Sequence, residues 1–199
     1  MKMGMLEKVS MNVANPLSPG IRHVIDGRSL LHRIRWPMQV ITYGQLVDMY
    51  VQYVDRQYGP NSQVIFDGYP ENTPTTKDEG HMRWEGKTTA PNISVDKAII
   101  VNVGKDSFLA NKHNLTQLID ILMAGFAHAG SSVAKTEEDV NRLIARSSIE
   151  SAQNFLTMTH AEDTDILVIL LSYLSDSPHD VVSTPYKKKV TAKRTAVQE

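Results

Sequence analysis

The sequence predicts a three-layer α/β/α domain built on a mainly parallel central sheet. Three observations carry that prediction. Short β-type runs alternate with amphipathic helices, turn or capping residues punctuate them, and acidic residues follow nearly every run. Strands alternating with helices require crossover connections, which lay neighbouring strands parallel and put helices on both faces. A length of 199 residues fits one domain with tails, and 41% hydrophobic content is enough for a real core.

Residues 1–20 are polar and broken by Asn15-Pro16 and Pro19-Gly20, so they read as a flexible lead-in. The domain itself is expected over 21–176. His23-Val24-Ile25-Asp26-Gly27 is a β-type run closed by a turn signal. Ser29 to Arg35 predicts a short helical turn, stopped before Pro37. Thr42 is placed to cap a helix from Tyr43 to Tyr58. Leu46, Val47, Tyr50, Val51 and Val54 recur there at helical spacing, and Gly59-Pro60 ends it. Gln63 to Phe66 reads as a buried strand ended by Asp67-Gly68. The polar stretch 69–86 reads as a loop and then a charged helix. Val95 to Val103 suits strand and helix equally.

Asn114 to Ala129 predicts an amphipathic helix carrying Leu115, Leu118, Ile119, Leu122 and Phe126, with Gly130 past its end. Ser132-Val133-Ala134 is a short strand candidate. Thr136 is expected to open a helix over 137–152, Phe155 to Thr159 forms another strand, and Asp163 to Leu174 predicts an apolar helix. Residues 177–199 form a polar tail that turns basic at Tyr186-Lys187-Lys188-Lys189 and Lys193-Arg194.

Composition narrows the function. The formal net charge is −1, so any contact with a polyanion must come from local basic patches. There is no cysteine, which excludes disulfides, thiolate metal sites and a cysteine nucleophile. The seven histidines are scattered without metal-ligand spacing, which argues against zinc. Neither a phosphate-binding glycine loop nor a nucleophile elbow is present. The start of the chain does not read as a secretory signal, and the longest apolar run, Ile166 to Leu171, falls far below the ~20 residues a membrane span needs. The expectation is a soluble intracellular protein, nuclear or cytoplasmic, with no membrane partner.

In open parallel sheets, function collects in the crevice at the strands' C-terminal ends. The acids are predicted to gather there. Asp26 and Asp67 end the first two strands, Glu137, Glu138 and Asp139 follow the third, and Glu162-Asp163-Thr164-Asp165 follows the fourth. Each has an ordinary structural reading, since Asp-Gly is a turn dipeptide and the others suit helix caps. Their conjunction points to chemistry. Two unit charges at ~4 Å repel by about 4 kcal/mol at an effective dielectric near 20. Hard divalent cations, Mg²⁺ or Mn²⁺, offset such repulsion, lower the pKa of bound water and stabilise the leaving oxygen of a phosphodiester.

At these motifs the chain resembles the flap-endonuclease (XPG-like) branch of the PIN-like nucleases, and most of all its uncharacterised, transposon-associated eukaryotic members. The matching pieces are Val24-Ile25-Asp26-Gly27, Val64-Ile65-Phe66-Asp67-Gly68-Tyr69 and Glu162-Asp163-Thr164-Asp165-Ile166-Leu167, covering roughly residues 22–175. The resemblance implies a PIN-like fold and metal-dependent hydrolysis of DNA or RNA. It implies Asp26, Asp67, Asp163 and Asp165 as direct or water-mediated metal ligands. A further acid-x-acid pair of metal ligands aligns either as Asp139 and Asn141 or as Glu137 and Asp139, and Asp139, common to both, is the favoured one. Lys77, His81 and Arg83 stand where the family contacts the scissile phosphate, and each also suits a solvated helix face. Trp84 nearby suits base stacking or packing against the fold.

Two departures from the family pattern support an alternative. Asn141 removes a carboxylate under one alignment, and active relatives continue through another strand, a further acid and a helical DNA-gripping module. The alternative is a catalytically degenerate or truncated PIN-like domain that binds nucleic acid or protein. A third reading keeps every acid as a turn or cap in a plain α/β interaction domain.

Overall fold

A computed structural model of the chain describes residues 20–68, 89–173, 181–183 and 190–191. β1 (Ile21–Asp26) runs directly into α1 (Gly27–Arg33), and α2 (Tyr43–Tyr58) and β2 (Ser62–Asp67) follow. Next come α3 (Lys105–Leu109), α4 (Lys112–His128), β3 (Ser132–Thr136) and α5 (Val140–Ala152). β4 (Leu156–His160), α6 (Thr164–Tyr173), β5 (Val181–Ser183) and β6 (Val190–Thr191) complete the described elements. The sheet order is β3-β2-β1-β4-β5-β6. Strands β3 through β5 pair in parallel, and β6 is antiparallel to β5. This is the α/β/α architecture the alternating pattern predicts.

Both faces of the sheet are covered, so its central strands are apolar on both sides. Successive residues point to opposite faces. Ile25, Val64 and Phe66 pack with α1, α2, α3 and α4, including Leu46, Tyr50, Phe108, Leu122 and Phe126. Val24 and Ile65 pack on the other side against Ile144 and Ala145 of α5 and Ile166 and Leu170 of α6. α2 begins with the capping box its sequence signals: the Gln45 N–H donates to Thr42 Oγ1 at 3.2 Å, and the Thr42 N–H donates to Gln45 Oε1 at 2.9 Å.

Four expectations need revision or lie out of reach. α5 begins at Val140 with Asp139 as its N-cap, three residues later than predicted, because Thr136 is still in β3, opposite Asp67. Residues 95–103 form neither strand nor helix beyond a single bridge between Thr42 and Ile100. Its backbone bonds instead to the start of α2 and the residues before it, with the Ile99 and Lys97 carbonyls accepting from Tyr43 N–H and Gly44 N–H at 2.9 Å and Val101 N–H donating to the Ile41 carbonyl at 2.8 Å. Side chains of α4 hold its leading end. Ile93 N–H donates to Asn114 Oδ1 at 2.8 Å, and Val95 N–H donates to Gln117 Oε1 at 2.9 Å. β5 and β6 lie inside the stretch expected to be a polar tail, and β5 extends the sheet beyond β4. The loop and charged helix expected over 69–86 lie outside the described residues, as do Lys77, His81, Arg83 and Trp84.

The two Asp-Gly dipeptides are not positive-φ turns. Both glycines are needed for close approach. A Cβ on Gly27 would fall 2.3 Å from Phe66 Cδ1 and 2.8 Å from the Ile65 carbonyl oxygen, so only glycine lets α1 start against β2. A Cβ on Gly68 would fall 2.8 Å from the Thr136 carbonyl oxygen, which the Gly68 N–H bonds.

Candidate functional site at the C-terminal sheet edge

The chain moves outward from β1 to β2 and β3, then returns to the other side of β1 as β4. That reversal is a topological switch point, and in open α/β sheets ligands bind in the crevice outside the strand C-termini at such points. Asp26 ends β1 on one side of the crevice. Ile25 pairs with His160, so Asp26 and Ala161 come next on the two strands, followed on the β4 side by Glu162 and Asp163.

Asp67 ends β2, two residues beyond Ile65, the partner of Asp26. Parallel register puts Asp26, Ile65 and Asp67 on one face, the face covered by α5 and α6. Strand spacing and rise separate the Cα positions of Asp26 and Asp67 by about 8 Å, close enough for two carboxylates to share one cation or water. Both are buried, at 9% and 6% exposure. Burial pushes the Asp26 pKa up to about 6, against the pull of the Arg28 and Ser29 backbone N–H groups and the Arg28 charge, and the nearby Glu162 charge adds to the rise. The Arg28 N–H donates to Asp26 Oδ1 at 2.9 Å, making Asp26 the N-cap of α1.

The remaining acids are exposed and stand at helix starts. α5 follows β3 and α6 follows β4, so both helices begin at this same edge. Asp139 caps α5, accepting the Asn141 N–H at 3.0 Å. Its 3.9 Å pair with Arg142 is between exposed groups and contributes little. Asp163 Oδ1 accepts the Asp165 N–H at 2.9 Å, while Asp163 Oδ2 accepts from Asn141 Nδ2 at 3.0 Å. Asn141 thereby ties the first turns of α5 and α6 together. Asp165 sits in the first turn of α6. Glu137 follows β3, with its Cγ 3.2 Å from where a Gly68 Cβ would stand.

The fold thus carries Asp26, Asp67, Glu137, Asp139, Asp163 and Asp165 to one edge. Among the described residues, however, no group of three or more His, Asp and Glu side chains is gathered to hold a metal ion. The donors suit Mg²⁺ or Mn²⁺ in kind, being carboxylate oxygens, and Mg²⁺ commonly takes only one or two carboxylates and completes its shell with water and phosphate. Asp26 and Asp67 meet that smaller requirement.

One buried constellation was not visible in the sequence. His23 Nδ1 lies 2.8 Å from His160 Nε2, and the Tyr58 ring centroid is 4.5 Å from that of His160. Arg33 Nη1 donates to the Tyr58 hydroxyl. Burial, then the His23 and Arg33 charges, lower the His160 pKa to about 3. The two histidines are diagonal neighbours on β1 and β4, a relation that only the strand order reveals.

Comparison with protein-family models, curated proteins and solved structures gives no match to this chain. Among the described residues, no helix is long and apolar enough to cross a membrane.

Proposed function

We propose that this chain is a divalent-metal-dependent, nuclease-like protein that hydrolyses phosphodiester bonds in DNA or RNA. The observation that supports this reading is the pair of buried carboxylates, Asp26 and Asp67, on adjacent strands beside the switch point, with burial raising the Asp26 pKa to about 6 despite the Arg28 charge. A carboxylate perturbed by burial in such a crevice is a candidate functional group. Asp26 and Asp67 would hold Mg²⁺ or Mn²⁺, with Asp163 at the rim. The ion would supply an activated water and charge stabilisation at the phosphate. Asp139 and Asn141 would fix Asp163 against the start of α5. Lys77, His81 and Arg83 are the candidates for contacts to the phosphate.

Flap, hairpin and single-stranded substrates incubated with Mn²⁺ provide the test. Cleavage by the wild-type chain and its loss in Asp67→Asn are expected. An inert wild type, or equal rates for the two proteins, would overturn the reading.

A second reading rests on the Asn141–Asp163 hydrogen bond: a neutral amide stands beside Asp163 Oδ2 where one alignment of the family pattern puts a further carboxylate. On this view the domain is catalytically degenerate and binds nucleic acid or protein. It predicts no rise in melting temperature on adding Mn²⁺, whereas a competent site is stabilised by its ion.

A further inference from the structure

The chain as a whole is slightly acidic, yet one surface groove collects cations. It has a volume of about 1070 Å³ and runs between the segment leaving α1 and residues 101–107. Arg33, Arg35 and Lys105 line it, against a single acid, Asp106. Arg35 is exposed and bonds to none of the described residues. Lys105 is fixed, its Nζ donating at 2.7 Å to the carbonyl oxygens of both His32 and Ile34. Those two carbonyls belong to the last turn of α1 and the residue just past it, so a positive charge is held at a defined place.

Apolar surface lies beside these charges. Met38 and Val40 are 104% and 77% exposed. The Trp36 indole also lines the groove and is held from behind, with Nε1 donating to the Tyr50 hydroxyl at 3.2 Å and its ring 5.3 Å from that of Phe108. Five residues of α1, about 7–8 Å of helix, separate the groove's nearest lining residue, His32, from Asp26. His32 lines the groove at its end nearest Asp26, lowered in pKa by burial and by the Lys105 and Arg28 charges and opposed by Asp106 and Glu162.

We propose that this groove binds single-stranded nucleic acid, with phosphates along Arg35 and Lys105 and bases against Trp36, Met38 and Val40. Cations interleaved with apolar and aromatic faces suit an unpaired strand, whose bases are open to contact, whereas a duplex offers mainly phosphates. The groove leads the strand toward the acidic edge. That last step rests on the hydrolytic reading, but the binding itself does not.

Fluorescence anisotropy of a short labelled oligothymidylate, titrated with the full chain in EDTA at low salt, tests the proposal without hydrolysis. Saturable binding is expected, weakened about tenfold by Arg35→Glu, with the salt slope falling by about one. A variant with serine at Lys187, Lys188 and Lys189 is expected to bind as wild type does. The same oligomer without its bases is expected to bind more weakly. No binding, undiminished binding by Arg35→Glu, loss only in the lysine variant, or equal displacement by duplex would overturn the groove assignment. So would tight binding of an acidic peptide in place of the oligomer. Strand binding with no cleavage in Mn²⁺ would refute hydrolysis and leave the groove standing. Cleavage with no groove-dependent binding would do the reverse.

Discussion

Replacing Asp26 by asparagine isolates the energetic signature of the buried site. At 1.36 kcal/mol per unit, a rise from 3.8 to about 6 corresponds to about 3 kcal/mol between the two protonation states. Because the folded pKa lies above the unfolded one, this contribution is fully present below about pH 3.8 and is lost as pH climbs through about 6. Above that point the wild-type fold bears the whole cost of a desolvated carboxylate. Asn and Asp are equivalent N-caps, so the bond from the Arg28 N–H survives the substitution. The new amide must still satisfy its own donors, which leaves a net gain of about 1–2 kcal/mol. Urea denaturation in EDTA should therefore show Asp26→Asn to be more stable than wild type at about pH 8, with the difference gone by about pH 4. Equal stabilities at the higher pH would refute the electrostatic reasoning. Adding Mn²⁺ should narrow the gap by stabilising only the wild type. A gap that ignores the ion would count against the metal site alone.

His160 is held neutral with its pKa lowered to about 3, so its contribution is present above about pH 6.5 and lost as pH falls toward 3; His160→Gln should shift the acid-unfolding midpoint to lower pH, read by circular dichroism. Asn141→Asp replaces a donor to Asp163 by a second carboxylate, so it should lower the melting temperature in EDTA by roughly 2–4 °C and enlarge the upward shift produced by Mn²⁺. Gly27→Ala drives a methyl into Phe66 and the Ile65 carbonyl, and should cost about 1–3 kcal/mol in a denaturant titration.

The legible parts of the fold were those with local causes. α2 was readable from end to end because its cap, its apolar stripe and its Gly59-Pro60 stop all lie within the segment. The start of α5 is ambiguous by three residues in the sequence because Thr136 and Asp139 are both good caps. The choice between them is made by β2, which pairs with Thr136 and keeps it extended. Residues 95–103 carry no clear local signal because their backbone partners are the residues around the start of α2, far earlier in the chain, and Gln117 of α4. β5 and β6 are too short to signal themselves and gain meaning only beside β4. For the site, the shared edge was readable, since a parallel crossover forces each helix to begin where its strand ends. Strand order was not, and with it the switch point, the His23–His160 contact and the cationic groove stayed hidden. The capping roles of Asp139 and Asp163 are legible in the sequence, whereas Asp26, read there as a turn residue, caps α1 instead; all three acids serve local structure whatever else they do.

The contact between Gly27 and Phe66 has a mechanical consequence. Phe66 immediately precedes Asp67, and Gly27 immediately follows Asp26, so the ring packed against the start of α1 brings the two carboxylate-bearing segments into direct contact. A change in the bulk of residue 66 would tilt one acid relative to the other without altering any charge. Tuning of this edge is therefore open to the hydrophobic core as well as to the polar residues that ring it.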